Sequence, residues 1–321
     1  MGPRRYVLRK LLHALATLAF VLSFNFFLFR ILGDPVTLLS RSLRLDPTEQ
    51  LELRQELGVA DPLPQQFVNY VGDTLRGELG VSFLSGRPVS QVIAERTWPT
   101  VLLVGSATLF ATVFGLLAGI RGAWNRGSAF DSGSLLGSLV FYSMPEGWLG
   151  MILLIVFAGT LGWFPAGGME SVEPYTGLQH VTDVLHHLFL PCLTLTLGYI
   201  GEYTIIMRSS LLEVMGEDYV TTARAKGLRD KMVRRHHAVP NAMLPTFTLI
   251  FFSFGFVLGG SIIVETVFSW PGLGLLTYGA IDRLDYPVIQ GVFLVFSAAV
   301  IVANLAADIT YGYVDPRIRE A

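Results

Sequence analysis

The sequence predicts an all-α membrane protein with six transmembrane helices, and three observations carry that reading. The composition is 52% hydrophobic and only 15% charged, with mean hydropathy +0.53, too apolar for an ordinary soluble domain of 321 residues. Apolar runs of about 20 residues, long enough to cross the hydrocarbon core, recur along the whole chain. The cationic residues gather in short segments between those runs. A net charge of −2 argues against nucleic acid as a partner. Cys192 is the only cysteine, which excludes an internal disulfide and a Cys-rich metal site.

The first span is Leu11 to Leu32, preceded by Arg4, Arg5, Arg9 and Lys10. Its apolar run exceeds the core of a signal peptide, so a retained helix is expected, with Arg30 snorkelling to the interface. A polar insertion, 33–96, follows and carries helix punctuation of its own. Asp46-Pro47-Thr48-Glu49 offers an N-cap, a proline in the first turn and a capping-box Glu, and Gly58 can close that helix. Pro64 and Pro88 open two further candidates, with Phe67, Val71 and Leu75 on one face of the first and Val89, Val92 and Ile93 on the second. These helices are expected to pack on the outer surface of the membrane domain.

The second span, Thr97 to Ile120, carries no charge. A third begins near Ser132 and runs to Phe164, interrupted by Pro145-Glu146-Gly147, where the proline removes a helix hydrogen bond and a kink is expected. The pattern fits one bent helix or two segments equally well. Trp163-Phe164-Pro165 reads as an interfacial anchor. Leu188 to Met207 is the fourth span, Ala242 to Val264 the fifth and Tyr286 to Ala307 the sixth. Between the last two, Phe268 to Gly274 and Tyr278 to Asp285 suggest a turn and an interfacial helix.

Orientation follows from the cations. With six spans both termini share one side, and segments 1–10, 121–131, 208–242 and 308–321 on that side hold 15 of the 23 Lys and Arg. The 162–187 connection on the other side holds none. Both termini are therefore expected in the cytoplasm.

The charged island Gly216 to Pro245, between spans four and five, has the densest local logic. Asp218 is positioned as an N-cap, Arg224 and Lys226 suit the negative C-terminal end of a helix, and Gly227 suits a left-handed C′ position. A helix of about two turns is predicted. Thr221, Thr222, Ala223 and Ala225 carry small side chains, which leaves a thin rod able to enter a partner's groove; Tyr219 lies on the same helix. A second amphipathic run has Leu228, Met232 and Val239 on one face, and Pro240 is expected to end it. Composition alone also allows a basic loop attracted to anionic membrane lipid.

Ala223-x3-Gly227 followed by Asn241-Ala-Met-Leu-Pro245 resembles the cytoplasmic coupling motif of ABC-importer permeases, in the variant of the peptide permeases. Thr221 stands where the general motif has Glu, and Pro240 stands where a basic residue is usual. Gly33-Asp-Pro-Val36, Gly77 to Ser82, Glu265 to Gly274, Asp285 to Gly291 and Asp315-Pro-Arg317 resemble the same family, so the likeness spans nearly the whole chain.

The resemblance implies the first of two permease subunits of a dipeptide or oligopeptide importer, with a type I ABC-importer transmembrane core over 97–312 and a cytoplasmic tail at 313–321. Implied partners are a second permease in a heterodimer, two cytoplasmic ABC ATPases and an extracytoplasmic substrate-binding protein. Relatives also carry nickel complexes and glutathione. The implied coupling segment is Asp218, Tyr219, Thr221, Thr222, Ala223, Arg224, Ala225, Lys226 and Gly227, with Asn241 and Pro245, in the 208–242 loop. The chain itself is expected to be no enzyme and to hold no cofactor or metal.

Other candidate chemistry is weighed on the residues. Glu202 within the fourth span is costly in hydrocarbon and faces either the substrate pathway or a hydrogen-bonded interior; as a proton carrier it would suit a secondary transporter, the rival class. His186-His187 and His236-His237 diverge by about 100° on a helix, a poor pairing for one metal ion. Leu84-Ser85-Gly86-Arg87 superficially resembles the ATPase signature, but no phosphate loop exists in the sequence, nor any hydrolase motif. Glycine pairs at 115/119, 133/137 and 255/259 could admit close helix approach, though 33 glycines also produce such pairs by chance.

Overall fold

The computed structural model describes residues 3–32, 61–173, 175–243 and 262–314, with 46, 48, 50, 245–247, 249, 250 and 253. Among them the chain is helical, and the only β pairing is an isolated bridge between Val81 and Pro88. It forms two compact units, residues 1–98 with 276–321, and residues 99–275.

In the first unit, α1 (Pro3–Leu32) lies antiparallel to α12 (Tyr286–Val314). The Tyr6 hydroxyl donates to the Asp308 carbonyl and Lys10 pairs with the Asp308 carboxylate at 2.9 Å, while Asn25, fully buried, donates to the Gln290 carbonyl at the opposite end. Asn25 also donates to Tyr70 on α2 (Leu63–Arg76). Helix α2 starts with a proline in its first turn and closes on Gly77 at φ +82°. Phe67 packs its ring on Phe26 and Phe27, as the apolar face predicts, but Leu75 is 73% exposed, so the face turns toward Tyr70 instead. Asp46 accepts from the Thr48 N–H at 2.8 Å, the cap read from the sequence; Gly58 lies outside the described residues.

The separate helix expected after Pro88 is corrected. Val89 begins α3 (Val89–Trp124), one helix of 36 residues that absorbs the second span and passes through Pro99. Val89 and Ile93 are buried, meeting the α12 backbone where Gly291 has no side chain; a Cβ there would lie 2.7 Å from Val89. In the loop before it, the buried Asp285 carboxylate accepts from Ser82 Oγ at 2.6 Å and from the Phe83 N–H at 3.1 Å. The 82–87 turn that resembles a nucleotide signature is thus a structural turn held by one carboxylate.

In the second unit, the core gathers Leu103, Val104, Ala107, Leu188, Leu190, Leu195, Val264, Phe268 and Trp270. The third span is two helices, α4 (Ala129–Ser143) and α5 (Glu146–Leu153, continuing as wide π-helical turns over Leu154–Thr160), bent by 102°. Pro145, lacking an N–H, stands at the α5 N-cap, which explains why the chain breaks there instead of kinking. Helix α6 (Leu178–Val214) overruns the fourth span at both ends. Glycines permit its contacts: a Cβ on Gly201 would lie 2.5 Å from the Ser138 carbonyl, and one on Gly115 2.6 Å from Tyr203 Cβ.

The remaining elements are α7 (Asp218–Ala225), α8 (Asp230–Met232, continuing as π-helical turns over Val233–Ala238), α9 (Val239–Ala242), α10 (Ile262–Val267) and α11 (Leu273–Asp282). Helices α1, α3, α6 and α12 are long and apolar enough to cross a membrane, and the bent α4–α5 pair is a fifth candidate. Most of the expected fifth span, Ala242 to Val264, falls outside the described residues.

Candidate functional site

Helix α7 forms where capping chemistry puts it, with a shift of one residue at its start. Glu217, not Asp218, is the N-cap: its carbonyl accepts from Val220 and Thr221, its ψ is 146°, and no side chain caps the helix. Asp218 is the first helical residue, still beside the positive end of the dipole. At the other end Gly227 adopts φ +78°. Its N–H donates to the Arg224 carbonyl at 2.9 Å, and the Leu228 N–H reaches the Ala223 carbonyl at 3.4 Å. These two bonds make a Schellman closure, which brings Leu228 back against the helix.

One face of α7 is fastened inward. Val220, Ala223 and Val233 are buried together, with Trp124, Val214 and Leu228 packed against them. The expectation that Ala223 enters a partner's groove is therefore corrected: at 5% exposure its methyl group is already enclosed by this chain. Asp218, Tyr219, Thr221, Thr222, Arg224, Ala225, Lys226 and Gly227 are exposed. Tyr219 hydrogen-bonds the Asn241 side chain, and desolvation followed by the Glu217 charge raises its phenol above the ordinary pKa. Asn241 in turn donates to the His237 carbonyl at 2.7 Å, so Tyr219 and Asn241 are brought together; Pro245 is exposed and helical.

Pro240 does not end the second run. Helical structure continues from Asp230 through Ala242, and the π-helical turns at Val233–Ala238 change the hydrogen-bond register just ahead of the proline. The same widening alters the buried face, which is Val233, Ala238 and Ala242, while Met232 is 47% exposed.

Among the acids, Glu202 is partly buried on α6. Three others are more deeply enclosed, and sequence reasoning did not single out their roles. Asp131 binds Arg208 in a two-pronged pair, 2.6 Å to Nε and 2.9 Å to Nη2, and also accepts from the Gly127 N–H. Its N–H donates to Ser128 Oγ, a local capping pattern that the sequence reading did not use, and its Arg208 partner 77 residues away leaves no local signal. Glu265, fully buried, accepts from Thr100 Oγ1 at 2.9 Å and from the Leu275 N–H at 3.0 Å, capping the start of α11. Asp285 does similar work in the other unit. The Glu265 to Gly274 motif is thus a closed knot in which Gly272 is obligatory, since a Cβ would overlap both Glu265 and Thr100.

His186 bonds the Trp163 carbonyl, His187 the Asp183 carbonyl and His236 the Met232 carbonyl. Among the described residues no group of three His, Cys, Asp or Glu side chains is placed to hold a metal ion.

Comparison with known proteins gives a consistent result. A family model described as "Binding-protein-dependent transport system inner membrane component" matches residues 111–320, and a second, for the N-terminal part of such membrane components, matches residues 4–104. The chain is 39% identical over 330 residues to the di/tripeptide transport system permease protein DppB of Pseudomonas aeruginosa, spanning 98% of each chain. It is 39% identical over 317 residues to the glutathione transport system permease protein GsiC of Escherichia coli O6:H1, again over 98% of each. Among solved structures it resembles a chain of the MetNI methionine ABC transporter in an inward-facing conformation, with TM-score 0.54 at 18% identity over 70% of this chain and 97% of that one. At that identity the likeness speaks for the fold alone.

Proposed function

As this chain belongs to the family of binding-protein-dependent transport system inner membrane components, it is a permease subunit of an ABC importer, and we propose that α7 is the helix through which partner ATPases drive it. Family membership implies ATPase and other subunits. The fuller assembly in this reading is a heterodimer with a second permease, two cytoplasmic ABC ATPases and an extracytoplasmic binding protein, embedded in membrane lipid with both termini cytoplasmic. The domain plan is a first helix over 1–32, an extracytoplasmic insertion over 33–96, a transmembrane core over 97–312 that carries the 208–242 coupling loop, and a tail over 313–321.

One observation carries the proposal. A two-turn helix, capped at its end by Gly227, is fixed to the body on its Val220 and Ala223 face and leaves Thr221, Thr222, Ala225 and Lys226 open. Small and polar side chains on a rigidly held helix suit insertion into a cleft on a partner. ATP-driven closure of the ATPases would then move α7 and switch the pathway between inward-facing and outward-facing states. The substrate class we assign is short peptides, because relatives are named for di- and tripeptides, peptides and glutathione, itself a tripeptide. A nickel complex is the alternative cargo. Glu202 is assigned to the pathway or to the interior packing of α6.

The test uses Ala225→Trp, which adds a ring on the open face without changing charge or internal packing. ATPase co-purification and ATP-dependent uptake of a labelled dipeptide are expected to fall sharply while the permease remains at wild-type abundance in the membrane. Wild-type recovery of both activities would remove α7 from the coupling role.

A further inference from the structure

Trp124, the last residue of α3, lies at the junction of two apolar clusters. On one side it packs against Val220, Ala223 and Val233, the group that fastens α7. On the other it packs against Ala123, Met207, Leu211, Ala238 and Ala242, where the ends of α6 and α9 meet. Two cations lie over its ring as well. The Arg224 guanidinium, from α7, is 5.6 Å from the ring centroid, and that of Arg234, from the π-helical turns, is 5.7 Å away. Arg224 is further oriented by Asp230 at 3.8 Å.

A single side chain is therefore held by α7 and by the segment after it, and it belongs to a helix long enough to span a membrane. An aromatic face attracts a guanidinium across a range of small displacements, because the ring quadrupole and the broad apolar surface act together. Such a contact can slide without detaching. Aliphatic packing alone at this point would lose contact when α7 shifts relative to α3, because dispersion falls off within an ångström of separation.

We propose that Trp124 is the positioning residue that passes movement of α7 to α3 and α6, with Arg224 and Arg234 keeping it engaged. This rests on the assignment of α7 as the coupling helix. It assigns to Trp124 no contact with ATPase or substrate. Its consequence is specific: loss of the ring should disconnect ATP hydrolysis from transport, while the open face of α7 still receives the ATPases.

The experiment reconstitutes the full transporter in vesicles and measures dipeptide transported per ATP hydrolysed. Co-purification of ATPases with the wild-type chain tests the assignment of function separately and comes first. For Trp124→Leu, which keeps an apolar side chain but removes the π face, the ratio is expected to fall about tenfold, within the range usual for energetic coupling between sites, with ATPase recovery unchanged. Trp124→Phe should restore most of the ratio, which a simple packing role would not require. A wild-type ratio in Trp124→Leu overturns the proposal, and so does loss of ATPase recovery in that variant, because Trp124 would then only support the docking surface. If Trp124→Leu fails to reach the membrane, Arg234→Gln leaves both apolar clusters intact: a reduced ratio supports the proposal and an unchanged ratio overturns it.

Discussion

Gly227 works by its backbone and not by the space around it. A Cβ there would meet nothing within 4 Å, yet φ is +78°, a region that costs an L-residue with a β-branched side chain about 1–2 kcal/mol. Gly227→Val should therefore loosen the closure of α7 and release Leu228 from Ala223, whereas Gly227→Asn, which tolerates this region better, should lose less. Limited proteolysis across 216–230 reads the difference, with Val cleaved faster than Asn and Asn faster than wild type. Equal protection in all three chains would mean that the left-handed closure does not hold the helix. The Asp131–Arg208 pair acts by side-chain chemistry instead: a guanidinium fork satisfies both carboxylate oxygens while the Gly127 N–H supplies a third donor.

For whole helices, the decisive positions are glycines that let backbones meet. Gly115 and Gly119 of α3 face α6, where added Cβ atoms would come within 2.6 and 2.8 Å of it, and Gly201 of α6 faces α4 at 2.5 Å. Gly133 and Gly137 have the same spacing in sequence but nothing within 4 Å. Gly201→Leu is expected to cost about 1–3 kcal/mol through overpacking. Gly137→Ala should be neutral or stabilising for this chain by up to about 1 kcal/mol, because alanine is the better helix former. Thermal unfolding of the detergent-solubilised permease separates the two. A larger loss from Gly137→Ala than from Gly201→Leu would contradict the packing described.

At the level of the whole molecule, the asymmetry of Lys and Arg predicts which side each connection occupies. Leu75 on α2 is 73% exposed, and the Asp230 side chain beyond α7 is 75% exposed, so both positions suit labelling. In a Cys192→Ser background, a cysteine at position 75 should react with an impermeant thiol reagent in intact cells. A cysteine at position 230 should react only after the membrane is opened. The reverse pattern would invert the topology and place α7 where no cytoplasmic ATPase could reach it.

The membrane class, the long apolar helices and the existence of α7 were legible in the sequence because each depends on local chemistry. Hydrophobic length reports a span, and Gly227 after Arg224 and Lys226 reports a helix end. An interruption at Pro145 was visible for the same reason, but not whether it bends one helix or separates two, nor its 102° angle. Tertiary structure alone decided which way each side chain faced. Ala223 looks like a free small residue until Val233 and Trp124 close over it, and Pro240 looks like a terminator until the π-helical turns before it change the register. Glu265 with Thr100, and Asp131 with Arg208, pair across 165 and 77 residues, distances at which no periodicity carries information. Local propensity acts over a few residues, whereas burial and pairing depend on what the rest of the chain brings alongside.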